Sequence, residues 1–174
     1  MRIGKYFTLK DVSKSTTALR MGIDNTPHES AIMVAIEYVM TVVDQIKDRF
    51  PSVRINSFYR SHELNKAIGG AVNSKGESVS QHCRGEAVDL DSDGDKYNLE
   101  VFNLIKDDMV FDQLILEYPS WVEDENGELK CVPSWVHVSL IDISKDKTRR
   151  NRQQVLVKLK KGYIPFGQFQ KGMI

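Results

Sequence analysis

Two of the four histidines stand beside other potential metal ligands. In Ser80-Gln81-His82-Cys83-Arg84-Gly85-Glu86-Ala87-Val88-Asp89, His82 and Asp89 are seven residues apart, and Ser134-Trp135-Val136-His137-Val138-Ser139 carries the other histidine. His82, Asp89 and His137 could therefore form a set for Zn2+, which takes nitrogen, oxygen or sulfur ligands in a tetrahedron. A catalytic site uses three protein ligands and leaves the fourth position for water. Two ligands at this spacing can meet one metal when a loop turns the first onto a following strand, and Gly85 offers that turn. Spacing alone leaves a second reading open, a strand histidine buried and hydrogen-bonded in the core. His28 and His62 read as exposed residues at helix starts. Cys83 reads as a buried thiol, because adjacent residues on an extended segment point apart and His82 is its neighbour.

A second pattern competes for Asp89. Residues 89 to 100, from Asp89-Leu90-Asp91-Ser92-Asp93-Gly94-Asp95 to Glu100, fit a twelve-position calcium loop with glycine at position six and glutamate at twelve. Such a loop needs an entering helix, whereas Gly85-Glu86-Ala87-Val88 reads as a turn and a strand, and the normally apolar position eight is Lys96. The segment is therefore read mainly as a turn and helix start whose acidic groups suit the positive end of the next helix. A calcium site on Asp91, Asp93 and Asp95 is the alternative.

The elements that must position these residues can be read from periodicity. Thr26-Pro27-His28-Glu29 has the form of a capping box with proline at the first helical position, and Ile32, Ala35, Ile36, Val39, Val43 and Ile46 then recur at helical spacing to about Arg49. Pro51 ends that helix. Val53 to Ser57 alternates as a strand, and Ser61 caps a short helix stopping at Gly69-Gly70. A strand over Ala87 to Leu90, a helix with Leu99, Phe102 and Ile105 on one side, and a strand from Phe111 to Glu117 follow. Asn126-Gly127 marks a hairpin tip. Alternation over Trp135 to Leu140 puts Trp135, His137 and Ser139 on one face, and Val155 to Leu159 makes the last strand before a tail containing Tyr163. Helices flanking a largely antiparallel central sheet define the α+β class.

With 174 residues, 41% of them apolar, the chain is long enough for one domain with a real core, and residues 1–174 are read as that single domain. No apolar run approaches the roughly 18 residues needed to cross a bilayer, and Met1-Arg2-Ile3-Gly4-Lys5 is not followed by a signal-peptide segment. Two cysteines suit a reduced compartment better than a disulfide scaffold. The 24 basic and 24 acidic residues are unevenly spread: 2 basic against 14 acidic over residues 86–128, then 10 against 2 over residues 129–174. The basic stretch (Lys145, Lys147, Arg149, Arg150, Arg152, Lys158, Lys160, Lys161) lacks interleaved aromatic residues for base stacking, so it is read as a solvated face and no nucleic-acid partner is expected. A monomer is expected.

Ser-x-His-x-x-Gly-x-Ala-x-Asp at residues 80–89, followed by Trp-Val-His at residues 135–137, resembles the zinc D-alanyl-D-alanine carboxypeptidases and their phage-encoded relatives, which share the hedgehog/DD-peptidase fold. Ser57-Phe58-Tyr59-Arg60-Ser61, Leu64-Asn65 and Gly69-Gly70-Ala71 are similar to the segment that in this family leads to the first zinc ligand. Phe111-Asp112-Gln113-Leu114-Ile115 and Asn151-Arg152-Gln153-Gln154-Val155 resemble the phage-type branch. The resemblance covers about residues 5 to 165. It implies a zinc peptidase acting on peptidoglycan peptides, with His82, Asp89 and His137 as zinc ligands and Arg60 approaching the substrate's carbonyl or carboxylate. Ser80 and Gln81 would line the same site and Trp135 would pack beside it. The protein would be made in the cytoplasm and act at the cell wall after release or as part of a virion.

The general base is where the chain departs from the pattern. Many members place Glu or Asp three residues before the last histidine ligand; here that position is Ser134, whose hydroxyl cannot act as a base near neutral pH. Glu117 is the candidate instead. It ends a strand expected beside that of His137, and hedgehog domains and phage-type relatives look similar in carrying an acidic residue there. The alternative for Glu117 is an exposed rim carboxylate. For the whole chain, the alternatives are a zinc-stabilised binding module without catalysis, which Ser134 favours, and a calcium-responsive structural protein.

Overall fold

The computed structural model describes residues 1–92, 97–171 and 173. A small hairpin, β1 (Arg2–Ile3) and β2 (Phe7–Thr8), leads into the short helices α1 (Leu9–Ser13) and α2 (Thr16–Met21) and then the long helix α3 (Ser30–Arg49). Strand β3 (Val53–Ser57), helix α4 (His62–Ala67) and a 3-10 turn at Gln81–Arg84 bring the chain to β4 (Ala87–Ser92) and helix α5 (Asn98–Asp108). Strands β5 (Gln113–Glu117), β6 (Ser120–Glu123), β7 (Leu129–Val132), β8 (Trp135–Ser139), β9 (Gln154–Leu159) and β10 (Gly162–Pro165) complete it. Six strands form the central sheet in the order β10-β9-β5-β8-β4-β3, and every pairing is antiparallel except β5 with β9. The expected α+β architecture with a largely antiparallel sheet is the one observed.

Strand alternation divides this sheet into an apolar and a chemical face. Val88, Leu90, Leu114, Leu116, Val136, Val138 and Val157 are buried in one core with Ile36, Val39, Met40, Val43 and Ile46 of α3 and Val101, Phe102 and Ile105 of α5. Their neighbours Asp89, Ile115, Glu117, Trp135 and His137 must then face the other way. Register does the rest: Asp89 and Ile115 pair with His137 from opposite sides, and Glu117 pairs with Trp135. A slip of one residue in β8 would carry His137 into the core, so the apolar pattern of this strand itself protects the site.

Three expectations are corrected. The capping box at Thr26 does not form: α3 begins at Ser30 with Glu29 as its N-cap. The preceding segment is held by tertiary bonds, because Asn25 donates to the carbonyls of Ser13 and Tyr59 and accepts from Ser61 N–H, while Asp24 accepts from Thr26 N–H. The tail around Tyr163 is a strand, with Tyr163 opposite Lys158. The basic stretch is not simply solvated, since Arg149 and Arg152 clamp the buried carboxylates of Glu86 and Asp112. In the acidic loop, Asp89 sits in a strand rather than after a helix, and Asp91 pairs with Arg54 at 2.7 Å. Asp93, Gly94, Asp95 and Lys96 lie outside the described residues, and with them the calcium reading.

Gly85 is the pivot between the segment carrying His82 and the strand carrying Asp89. It has φ +71°, and a Cβ at this position would lie 2.8 Å from both the Ile32 carbonyl oxygen and Ile36 Cγ1. Gly85→Ala therefore pays for a left-handed backbone and displaces the start of α3, a loss of roughly 2 kcal/mol or more. The denaturant midpoint of this variant is expected to fall at unchanged slope; an unchanged midpoint would mean that α3 yields freely.

Candidate metal centre

The 3-10 turn packed against β4 presents His82, and strands β4 and β8 present Asp89 and His137 side by side. The ligand-capable atoms of these three buried residues all lie within 4.8 Å of one another. Asp89 Oδ1 is 2.8 Å from His137 Nδ1 and 3.4 Å from His82 Nε2. The imidazole rings stand edge to face with centroids 5.1 Å apart. His82 Nδ1–H donates to the Phe58 carbonyl at 2.6 Å, which fixes the tautomer and leaves Nε2 bare toward Asp89. The carboxylate is oriented from behind, because Arg60 donates through one Nη to Asp89 Oδ2 at 2.7 Å and through Nε to Ser57 Oγ at 3.0 Å.

Electrostatics prepare the same three groups for a cation. Burial lowers the pKa of His82, so its imidazole is neutral near pH 7. Burial opposes ionisation of Asp89, yet the two histidines beside it, one of them bonded to it through His137 Nδ1, hold its carboxyl well below the usual range. One neutral imidazole with a lone pair aimed at an ionised carboxylate, and a second imidazole nitrogen beside it, match what Zn2+ requires of two nitrogens and one oxygen. The residues present fit a metal.

A cavity of about 620 Å3 opens over this cluster, and Arg60, Ser80, Gln81, Glu117 and Trp135 all line it. Glu117 is 8% exposed, so it is not the open rim carboxylate of the alternative reading. It lies diagonally across from His137 on the adjacent strand, a separation of about 7–8 Å between backbone positions. Burial pushes its carboxyl up to about 7, with Asp89 adding to the shift and His137, Lys158 and Arg60 opposing it. Ser134 is absent from the lining: its hydroxyl donates to the Tyr118 carbonyl at 3.1 Å, at the base of the β6–β7 hairpin. Gln81 also donates to Asp112 at 3.0 Å, and the half-buried Trp135 ring lies 5.4 Å from that of Tyr118. Cys83 is buried, as expected, and is not part of the ligand group.

A family model described as Peptidase M15 matches residues 5–123, more than half of the chain. The chain belongs to the peptidase M15 family. Membership of the M15 family implies a metallopeptidase, and the family is zinc-dependent. The matched span contains Arg60, His82, Asp89 and Glu117 but ends before His137, which only the folded arrangement brings to the cluster. No curated protein matches the chain.

Several M15 cavity residues carried no signal in the residue pattern. Lys158 and Tyr163 close one wall from β9 and β10, with Lys158 Nζ 4.0 Å from the Tyr163 ring centroid. Alternation in Gly162-Tyr163-Ile164-Pro165 after the turn at Lys160-Lys161 was the available clue. The Phe58 carbonyl and the Ser57 hydroxyl, which orient His82 and Arg60, have no such clue.

Proposed function

We propose that this protein is a zinc peptidase that hydrolyses bacterial peptidoglycan stem peptides, at the terminal D-Ala-D-Ala bond or a nearby amide. The observation that carries this reading is the placement of Glu117, a buried carboxylate with pKa near 7, in the same cavity as the His82/Asp89/His137 cluster. His82 Nε2, an Asp89 carboxylate oxygen and His137 Nδ1 would hold the zinc ion. Zinc supplies Lewis acidity, acidifying water and polarising a scissile carbonyl. Glu117 accepts the proton of the attacking water and returns it to the leaving amine, and a pKa near the working pH suits a group that must do both. Arg60 offsets negative charge on the tetrahedral oxygen or on a substrate carboxylate. Ser80, Gln81 and Trp135 bound the substrate space.

A second reading, a zinc-stabilised binding module, is favoured by one observation: Ser134 stands where a carboxylate is common and its hydroxyl is tied to Tyr118. Metal analysis of the purified protein with mass spectrometry of incubated peptidoglycan fragments separates the two. The peptidase reading expects one zinc per chain and loss of a terminal residue or cleavage of an amide. Bound zinc with intact fragments would select the module.

Metal removal should be visible in stability. At free zinc about a thousandfold above its dissociation constant, binding to the folded state alone contributes about 4 kcal/mol, or roughly 8–16 °C in Tm for a chain of this size. A chelator is expected to lower Tm by about that amount, in thermal scans at fixed protein concentration. No shift would count against a resident metal.

A further inference from the structure

We infer that the cleft lined by Arg84, Arg149, Arg150 and Arg152 is an anion subsite that binds a carboxylate of the peptide substrate beside the scissile bond. It encloses about 420 Å3 and adjoins the metal-centre cavity, with which it shares Val79, Gln81 and Gln113. The inference rests on the peptidase reading, because the anion is assigned to the peptide being cut.

The guanidinium groups are built into place. Glu86, 6% exposed, accepts from Arg84 Nε at 2.8 Å and from both Nη atoms of Arg149. Asp112, 1% exposed, accepts from Arg152 Nε at 2.8 Å and Nη2 at 2.5 Å. Two buried carboxylates thus anchor three arginines, whose side chains remain about a third to a half exposed toward solvent. Arg150, also lining the cleft, makes no ion pair or side-chain hydrogen bond with another described residue. Four guanidinium groups against two carboxylates leave the cleft positive, and rigidly held planar forks suit a carboxylate better than flexible ammonium groups would.

Position supplies the rest. Gln113 lies at the junction of the two cavities, two residues along β5 from Ile115, the partner of His137. That offset is about 7 Å along the strand. An extended peptide advances about 3.3–3.6 Å per residue. A carboxylate two or three residues from the bond over the metal centre therefore reaches the arginines. Gln81 joins the spaces chemically, because the residue preceding His82 donates to the Asp112 that holds Arg152.

The test uses the full zinc-loaded chain and two peptidoglycan fragments differing only in whether their side-chain carboxylates are free or amidated. The parent is expected to cleave the free form about tenfold more efficiently, the difference lying in KM. Arg150→Gln brings that ratio close to one, Arg150→Glu reverses it, and Arg150→Lys retains part of it. Binding is read separately by NMR of arginine Nε–H signals during titration with a blocked tri-glutamyl peptide or with inorganic phosphate. Saturable shifts with the glutamyl peptide that vanish in Arg150→Glu support the subsite even if neither fragment is cleaved, an outcome that would sink only the peptidase reading. Equal cleavage of both fragments by the parent, absence of shifts, or tighter binding of phosphate than of the glutamyl peptide each overturns the inference.

Discussion

Glu117→Gln is expected to lower turnover of stem-peptide fragments by roughly a hundredfold to ten-thousandfold while metal content stays at one per chain. The amide is close in size to the carboxyl and sits in the same buried place opposite Trp135, so the fold has no reason to change. What is lost is the capacity to take up and return a proton. Ser134→Ala, by contrast, removes only the hydroxyl bond to the Tyr118 carbonyl, from a residue that does not itself line the cavity, and should leave turnover near that of the parent. If Glu117→Gln cleaved as fast as the parent, the base would have to be reassigned.

The same variant carries a pH signature in the metal-free protein. Folding raises the Glu117 pKa from 4.5 to about 7. The protonated form is therefore favoured in the folded state, and the associated stability is complete below about pH 4.5 and is lost as pH rises through 7. The difference is at most about 3 kcal/mol, and less for the part of the carboxyl still in touch with water. With chelator present, Tm of the parent should fall relative to Glu117→Gln between pH 5 and 8. A bound cation favours the ionised carboxylate, so zinc should flatten that difference. Parallel Tm curves without metal would mean that Glu117 ionises like an exposed carboxyl.

What could be read beforehand followed local physics. The alternation of Trp135 to Ser139 placed His137 on the polar face, and the span of β3, the Ser61 cap and a strand over Ala87 to Leu90 are as expected. Each of these rests on neighbours in the chain. The features that escaped rest on partners far along it. Arg60 and Asp89 meet across 29 residues and Arg149 and Glu86 across 63, and no local pattern marks an arginine as clamped rather than solvated. The false start of α3 has the same origin, because tertiary hydrogen bonds to Asn25 overrode a plausible cap. Tyr163 was missed because β10 is stabilised by its pairing with β9 at the sheet edge, where a segment of four residues ending in proline looks like a tail.

His137→Ala should remove metal and activity together, and this separates a metal centre from a set of core histidines. The cluster offers three groups that could hold a metal, all buried, and deleting one leaves His82 and Asp89, too few to hold zinc tightly against solvent. Asp89 also loses its 2.8 Å bond from His137 Nδ1, so its negative charge is left to Arg60 and His82 and its pKa should rise. In this variant the melting temperature should no longer respond to chelator and should fall near that of the chelated parent, because both lack the same binding free energy. Zinc content measured by plasma emission should drop from about one to near zero while Glu117→Gln keeps its metal. The contrast between these two variants is the decisive observation, because the proposed function assigns the ion to one residue and the proton to the other. Full zinc occupancy in His137→Ala, with Tm still falling on chelation, would place the metal elsewhere and return His137 to the role of a hydrogen-bonded core histidine.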